Sequence, residues 1–65
     1  MKIKVDDYVR YFDSGYKKEM YGWVDSWNKD MSIVNVQCDD GWNGDRGISC
    51  RINEVKEILP PKERL

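Results

Sequence analysis

The sequence contains no histidine. Histidine is the commonest general base and the usual activator of serine and cysteine nucleophiles, so acid–base and triad chemistry lose their ordinary carrier. A structural zinc site takes four ligands, mostly cysteine and histidine, and Cys38 and Cys50 are the only cysteines. Zinc is therefore disfavoured unless carboxylates or a second chain contribute. Excess charge of either sign is missing too. Eleven Lys and Arg face twelve Asp and Glu, for a net charge of −1, and no basic run exceeds Lys17-Lys18. Phosphate backbones are bound by surplus positive charge, so DNA or RNA is disfavoured as the main partner. No apolar run approaches the roughly 20 residues that span a bilayer, so a membrane is not expected. The opening Met-Lys-Ile-Lys-Val-Asp-Asp lacks the apolar stretch of a secretory signal. The expected location is the cytoplasm, with reduced thiols.

What is present is dense and mixed. The chain has 65 residues, 40% of them apolar, with three Trp, four Tyr and one Phe. That length holds one domain with one core, and the aromatic content is too high for a disordered segment. A chain this short buries only about 60% of its unfolded surface, so each apolar position matters.

Five short strands are expected, over residues 5–12, 20–27, 31–38, 46–52 and 56–59. Period-two alternation and β-favouring residues mark them. Asp13-Ser14-Gly15 and Asn28-Lys29-Asp30 read as turns, and residues 39–47 as a Gly-rich loop. Asn53-Glu54-Val55 reads as one 3₁₀ turn before the last strand. Pro60-Pro61 ends regular structure, since proline cannot continue a ladder. The domain is expected over residues 1–59, with a Pro-initiated polar tail at 60–65 that frays from Lys62 to Leu65. No long 3.6-residue period occurs, so the class is all-β. Five short strands cover one core best by curling and closing. The aliphatics expected inside are Val5, Val9, Val24, Val34, Val36, Ile48, Ile52 and Ile58, with Cys38 and Cys50 as apolar fillers.

Several stretches carry a likeness. Val5-Asp6-Asp7-Tyr8-Val9-Arg10 resembles the opening "V-G-D-x-V-R" strand of SH3-like barrels, including the KOW and Tudor types, with Asp6 in place of the glycine. Tyr21-Gly22-Trp23-Val24 resembles their second strand, and Val34-Asn35-Val36 with Asp39-Asp40-Gly41 the third strand and its turn. Residues 52–58 resemble the 3₁₀ turn and closing strand. The likeness covers about residues 5–59 and implies a five-stranded SH3-like barrel. A free-standing barrel of this size also resembles small accessory proteins of bacteria and their phages, which would place it in a host cytoplasm if phage-encoded.

Candidate sites follow from the aromatic residues. Tyr21, Trp23 and Trp27 share a parity opposite Val24, so with Val24 inside they face outward. Tyr8 and Phe12 do the same on the first strand. The expected binding face is Tyr8, Phe12, Tyr21, Trp23 and Trp27, with Trp42 at the tip of the 39–47 loop. The competing reading is that these rings lie under the 13–19 loop or thicken a small core. In Tudor-type domains such rings form a cage for a methylated cation, which the resemblance implies as one use. The loop from Asp39 to Asp45 is rich in carboxylates. Set against a calcium loop, however, it has Gly41 at the third position and Cys50 where a bidentate Glu is required. No metal and no cofactor is expected.

Catalysis is not expected either. Asp6 and Asp7 are adjacent on an extended chain and point to opposite faces, so they form no carboxylate dyad. The expected function is a non-catalytic protein-interaction module, one that regulates or inhibits a larger partner. The alternatives are a nucleic-acid-associated KOW-like domain, needing Lys17, Lys18, Lys29, Arg46 and Arg51 on one face, or a structural subunit of an assembly such as a virion.

Overall fold

A computed structural model describes residues 2–39 and 47–63. Strands β1 (Tyr8–Asp13), β2 (Lys18–Trp27), β3 (Ile33–Cys38), β4 (Gly47–Arg51) and β5 (Val55–Leu59) form one antiparallel sheet in the order β4-β3-β2-β1-β5. A 3₁₀ turn, η1 (Ile52–Glu54), joins β4 to β5. It lies one residue earlier than the sequence suggests, and its first residue, Ile52, still donates its amide across to the Ser32 carbonyl (2.9 Å), the last bond of the β3–β4 ladder. The all-β class holds. The sheet bends far enough to bring β1 against β4 across the core, but it does not close: β4 and β5 remain its two edges.

The turns form for local reasons. Asp13 is buried, and its Oδ1 accepts the amides of Gly15 (2.8 Å) and Tyr16 (3.2 Å), an Asx turn that closes the β1–β2 hairpin. At the β2–β3 hairpin the Asn28 side chain accepts the Ile33 amide and donates to Ser32 Oγ, both at 3.0 Å. Met31 takes a left-handed φ of 61° there, which delays β3 by two residues.

Two bulges decide which side chains face inward. Along β2, Val24 pairs with Val36, but Ser26 pairs with Asn35 and Trp27 with Val34, so Asp25 is the extra residue. Along β1 and β5, Val9 pairs with Ile58 and Arg10 with Glu57, but Tyr11 pairs with Val55, leaving Lys56 extra. An inserted residue reverses the alternation beyond it. Hence Val24 and Trp27, three apart, both turn to the core side, as do Val55 and Ile58.

The core comprises Ile3, Val9, Tyr11, Val24, Val34, Val36, Cys50 and Val55, with Met20, Trp27, Ile48 and Ile52 packed against it. Full burial of a valine is worth about 1.5–3 kcal/mol, so these five valines carry much of the fold. Two expected core residues are not there. Val5 is 53% exposed because residues 4–7 form a turn, with Asp6 at φ 74° and the Asp7 amide donating to the Lys4 carbonyl. Strand β1 therefore begins at Tyr8, and Ile3 enters the core instead. Ile58 is 38% exposed, because it faces the core side on an edge strand with no neighbour beyond it. Cys38 and Cys50 are buried thiols with no disulfide between them. Their register explains this: Cys38 lies opposite Gly22 and Cys50 opposite Val34. Tyr11 is fully buried, and its hydroxyl has no hydrogen-bond partner among the described residues. Burial holds that phenol far above the ordinary range, with the Cys38 thiol adding to the effect.

Candidate binding site

The side of the sheet away from the core is patterned in rows across β2, β1 and β5. Trp23, Tyr8 and Leu59 form the first row, Tyr21, Arg10 and Glu57 the second, and Glu19 and Phe12 the third. Arg10 bridges Glu19 and Glu57 in the middle of this face. The two glutamates are about half exposed and Arg10 is partly exposed, so the network orders the surface more than it stabilises the fold.

The first two rows bring three aromatic rings together. The Tyr8 and Trp23 centroids lie 5.3 Å apart with the rings tilted at 49°. Tyr8 and Tyr21 stack at 6.2 Å and 19°. Both separations fall in the range where aromatic pairs attract beyond their buried area. Asp39, just past β3, is fixed by its amide donating to the Tyr21 carbonyl (2.8 Å). Its Oδ2 accepts the Tyr8 hydroxyl at 2.7 Å. Burial raises the Tyr8 phenol above its ordinary value, and the bond to Asp39 raises it further, so the hydroxyl stays a donor at neutral pH.

The segment after β5 completes the site. Past Pro60-Pro61 the chain turns back over the rings, and the Trp23 indole N–H donates to the Lys62 carbonyl at 2.7 Å. The Lys62 ammonium lies 5.2 Å from the Tyr8 centroid and 5.9 Å from that of Trp23, within cation–π range. It also donates to Asp39 Oδ2 at 2.5 Å. The hydrogen bond from Lys62 holds the Asp39 carboxyl below the usual carboxylate value, and the same bond raises the Lys62 ammonium. An aromatic and carboxylate cage is thus filled by a cation of its own chain.

Of the residues named from sequence, Tyr8, Tyr21 and Trp23 come together here. Trp23 faces outward as its parity suggests, yet it is only 4% exposed. The contact that covers it comes from Lys62, beyond β5. Phe12 shares the outer face but is separated from Tyr8 by Arg10. Trp27 does not join them. The bulge at Asp25 turns it to the core side, where it lines a groove with Lys2, Ile3, Lys4 and Met31. Trp42 and the calcium-like stretch at 40–46 lie outside the described residues. No cluster of three potential metal ligands occurs among the described residues. Of the basic residues a nucleic-acid surface needs, Lys17 and Lys18 sit at the β1–β2 turn, while Lys29 and Arg51 sit at the opposite end of the sheet. Arg46 lies outside the described residues.

Asp39 and Lys62 are the site residues that local reading missed. The one available signal is general: a buried indole N–H needs an acceptor. The chain matches no protein-family model, no curated protein and no solved structure.

Proposed function

We propose that this chain is a small non-catalytic binding module of the SH3-like barrel kind, engaging a protein partner through the outer face of β1 and β2. The observation that carries this reading is the Tyr8–Tyr21–Trp23 cluster, rimmed by Asp39 and set on a rigid sheet. Aromatic rings with partnered polar tips are the side chains most enriched in protein interfaces and their hot spots. The barrel assignment draws support from the strand order, from η1 between β4 and β5, and from Asp6. Asp6 takes a left-handed φ at the place where the resembling pattern has glycine. Balanced charge and the division of the basic residues between two ends of the sheet weigh against a nucleic-acid partner. No helix among the described residues is long and apolar enough to cross a membrane. A role in regulating or inhibiting a larger cytoplasmic partner fits a module this small.

The test is capture of the partner from the native cell by the wild-type chain and by Tyr21→Ala and Phe12→Ala. Tyr21 is 44% exposed, so its truncation leaves the fold intact. Loss of capture with unchanged thermal stability supports the reading. Undiminished capture by both variants contradicts it.

A further inference from the structure

The ligand already in the cage is informative. A lysine ammonium faces two aromatic rings and hydrogen-bonds a carboxylate that a third group, the Tyr8 hydroxyl, holds in place. We propose that the Tyr8–Trp23–Asp39 cage is a recognition site for an unmodified lysine side chain of a protein partner, with Lys62 as the internal ligand that the partner displaces. This rests on the outer face of β1 and β2 being the protein-binding surface, and adds what that surface recognises.

The chemistry selects a primary ammonium. Asp39 Oδ2 accepts from both Tyr8 Oη and Lys62 Nζ, so the bound cation must carry an N–H. A trimethylated ammonium keeps the cation–π attraction but has no proton to donate, and its methyl groups hold the charge farther from the carboxylate. Exchange is sterically open. The Lys62 side chain is 49% exposed while Asp39 beneath it is 16% exposed, so the plug sits outermost. Only two residues separate Leu59 at the end of β5 from Lys62, and both are prolines. Such a segment loses little conformational freedom on docking and can be exchanged without disturbing the ladder. A depression lined by Lys18, Glu19, Met20, Tyr21 and Asp39 adjoins the cage, sharing Tyr21 and Asp39 with it. It offers room for the residues flanking an incoming lysine.

The experiment uses the full chain, labelled with ¹⁵N, as wild type and as Lys62→Ala. The probe is the blocked peptide acetyl-Pro-Pro-Lys-Glu-amide, with norleucine and trimethyllysine versions, followed by the Trp23 indole N–H resonance. A cage closed by its own tail in about nine molecules of ten weakens an outside ligand about tenfold. The lysine peptide should therefore bind Lys62→Ala about tenfold more tightly than wild type. The trimethyllysine peptide should bind more weakly, and the norleucine peptide should not shift the resonance. Adding Asp39→Asn to Lys62→Ala should abolish binding. Equal affinity for both proteins, tighter binding of trimethyllysine, binding of norleucine, or no binding by Lys62→Ala would each overturn the proposal. If the peptide fails while Tyr21→Ala still loses partner capture, the lysine proposal falls and the binding face stands. If the peptide binds while Tyr21→Ala and Phe12→Ala capture normally, the binding face itself falls, and the partner's lysine with it.

Discussion

Gly22→Ala tests the sheet that holds the aromatic rings in place. Gly22 is buried on the core side of β2, opposite Cys38. A Cβ added there would lie 2.4 Å from the Gln37 carbonyl oxygen and 2.6 Å from Val36 Cγ1. Ordinary contact begins near 3.4 Å, so β3 must retreat by about 1 Å. The obstructing atom belongs to backbone, and no rotamer change relieves it. Overpacking of this kind costs about 1–3 kcal/mol. Stretching one ladder hydrogen bond adds about 1 kcal/mol, for a total of roughly 2–4 kcal/mol. At about 0.05–0.15 kcal/mol per residue, the whole domain has roughly 3–10 kcal/mol of stability. The variant should lose a large share of it and melt at least about 10 °C lower. Urea unfolding followed by Trp fluorescence and far-UV circular dichroism reads the loss. Gly47→Ala is the control, because no atom lies within 4 Å of its added Cβ, and it should stay within about 0.5 kcal/mol of wild type. A Gly22→Ala midpoint indistinguishable from that of Gly47→Ala would mean that the Gly22–Cys38 register is wrong.

Other outcomes follow from single positions. Lys17 is exposed with a left-handed φ of 55°, so Lys17→Gly should stabilise the domain by about 0.5–1 kcal/mol in the same urea assay. The Cys50 thiol is pushed up to about 11 by burial, with Glu54 and Asp13 adding to it. Both cysteines are buried and should react slowly with a bulky thiol reagent at neutral pH and quickly once unfolded. Docking of Lys62 depends on charge at both ends. Asp39 is lowered in the folded state, so its contribution is complete above the ordinary value of about 3.9 and is lost as pH falls through the lowered one. Lys62 is raised, so its contribution is complete below the ordinary lysine value near 10.4 and is lost as pH rises from there through the raised one. Trp23 emission should stay level between about pH 5 and 9 and change below pH 4; a transition near pH 6 would contradict this assignment.

Local chemistry made much of the fold legible. The hairpin turns at Asp13 and Asn28 are written in side chains that bond their own backbone, and the alternation of β3 is plain in Val34, Val36 and Cys38. The bulges were hidden because Asp25 and Lys56 carry no glycine or other mark of an inserted residue. Strict alternation therefore put Trp27 with Trp23, when one extra residue sends it to the core side. Val5 was misplaced for a related reason: the left-handed turn at Asp6 is occupied by a residue that does not announce it. The candidate site was half legible. Parity found Tyr8, Tyr21 and Trp23, but their partners Asp39 and Lys62 lie 31 and 39 residues away along the chain from Tyr8 and Trp23 respectively. Such contacts follow only from the full strand order, which places β3 and β5 on either side of the β2–β1 pair, with the chain leaving each of them beside the aromatic cluster.

The most direct measurement is the proton spectrum of the Lys62 side chain in the 65-residue chain. An ammonium held over the faces of Tyr8 and Trp23 carries its ε-methylene protons into the shielding region of both rings. The account predicts an upfield-shifted Lys62 ε resonance, with cross-relaxation to Tyr8 and Trp23 ring protons, and its movement toward the ordinary position in Tyr8→Ala. Lys62 ε protons at the random-coil position in the wild-type chain, without contacts to either ring, would contradict it.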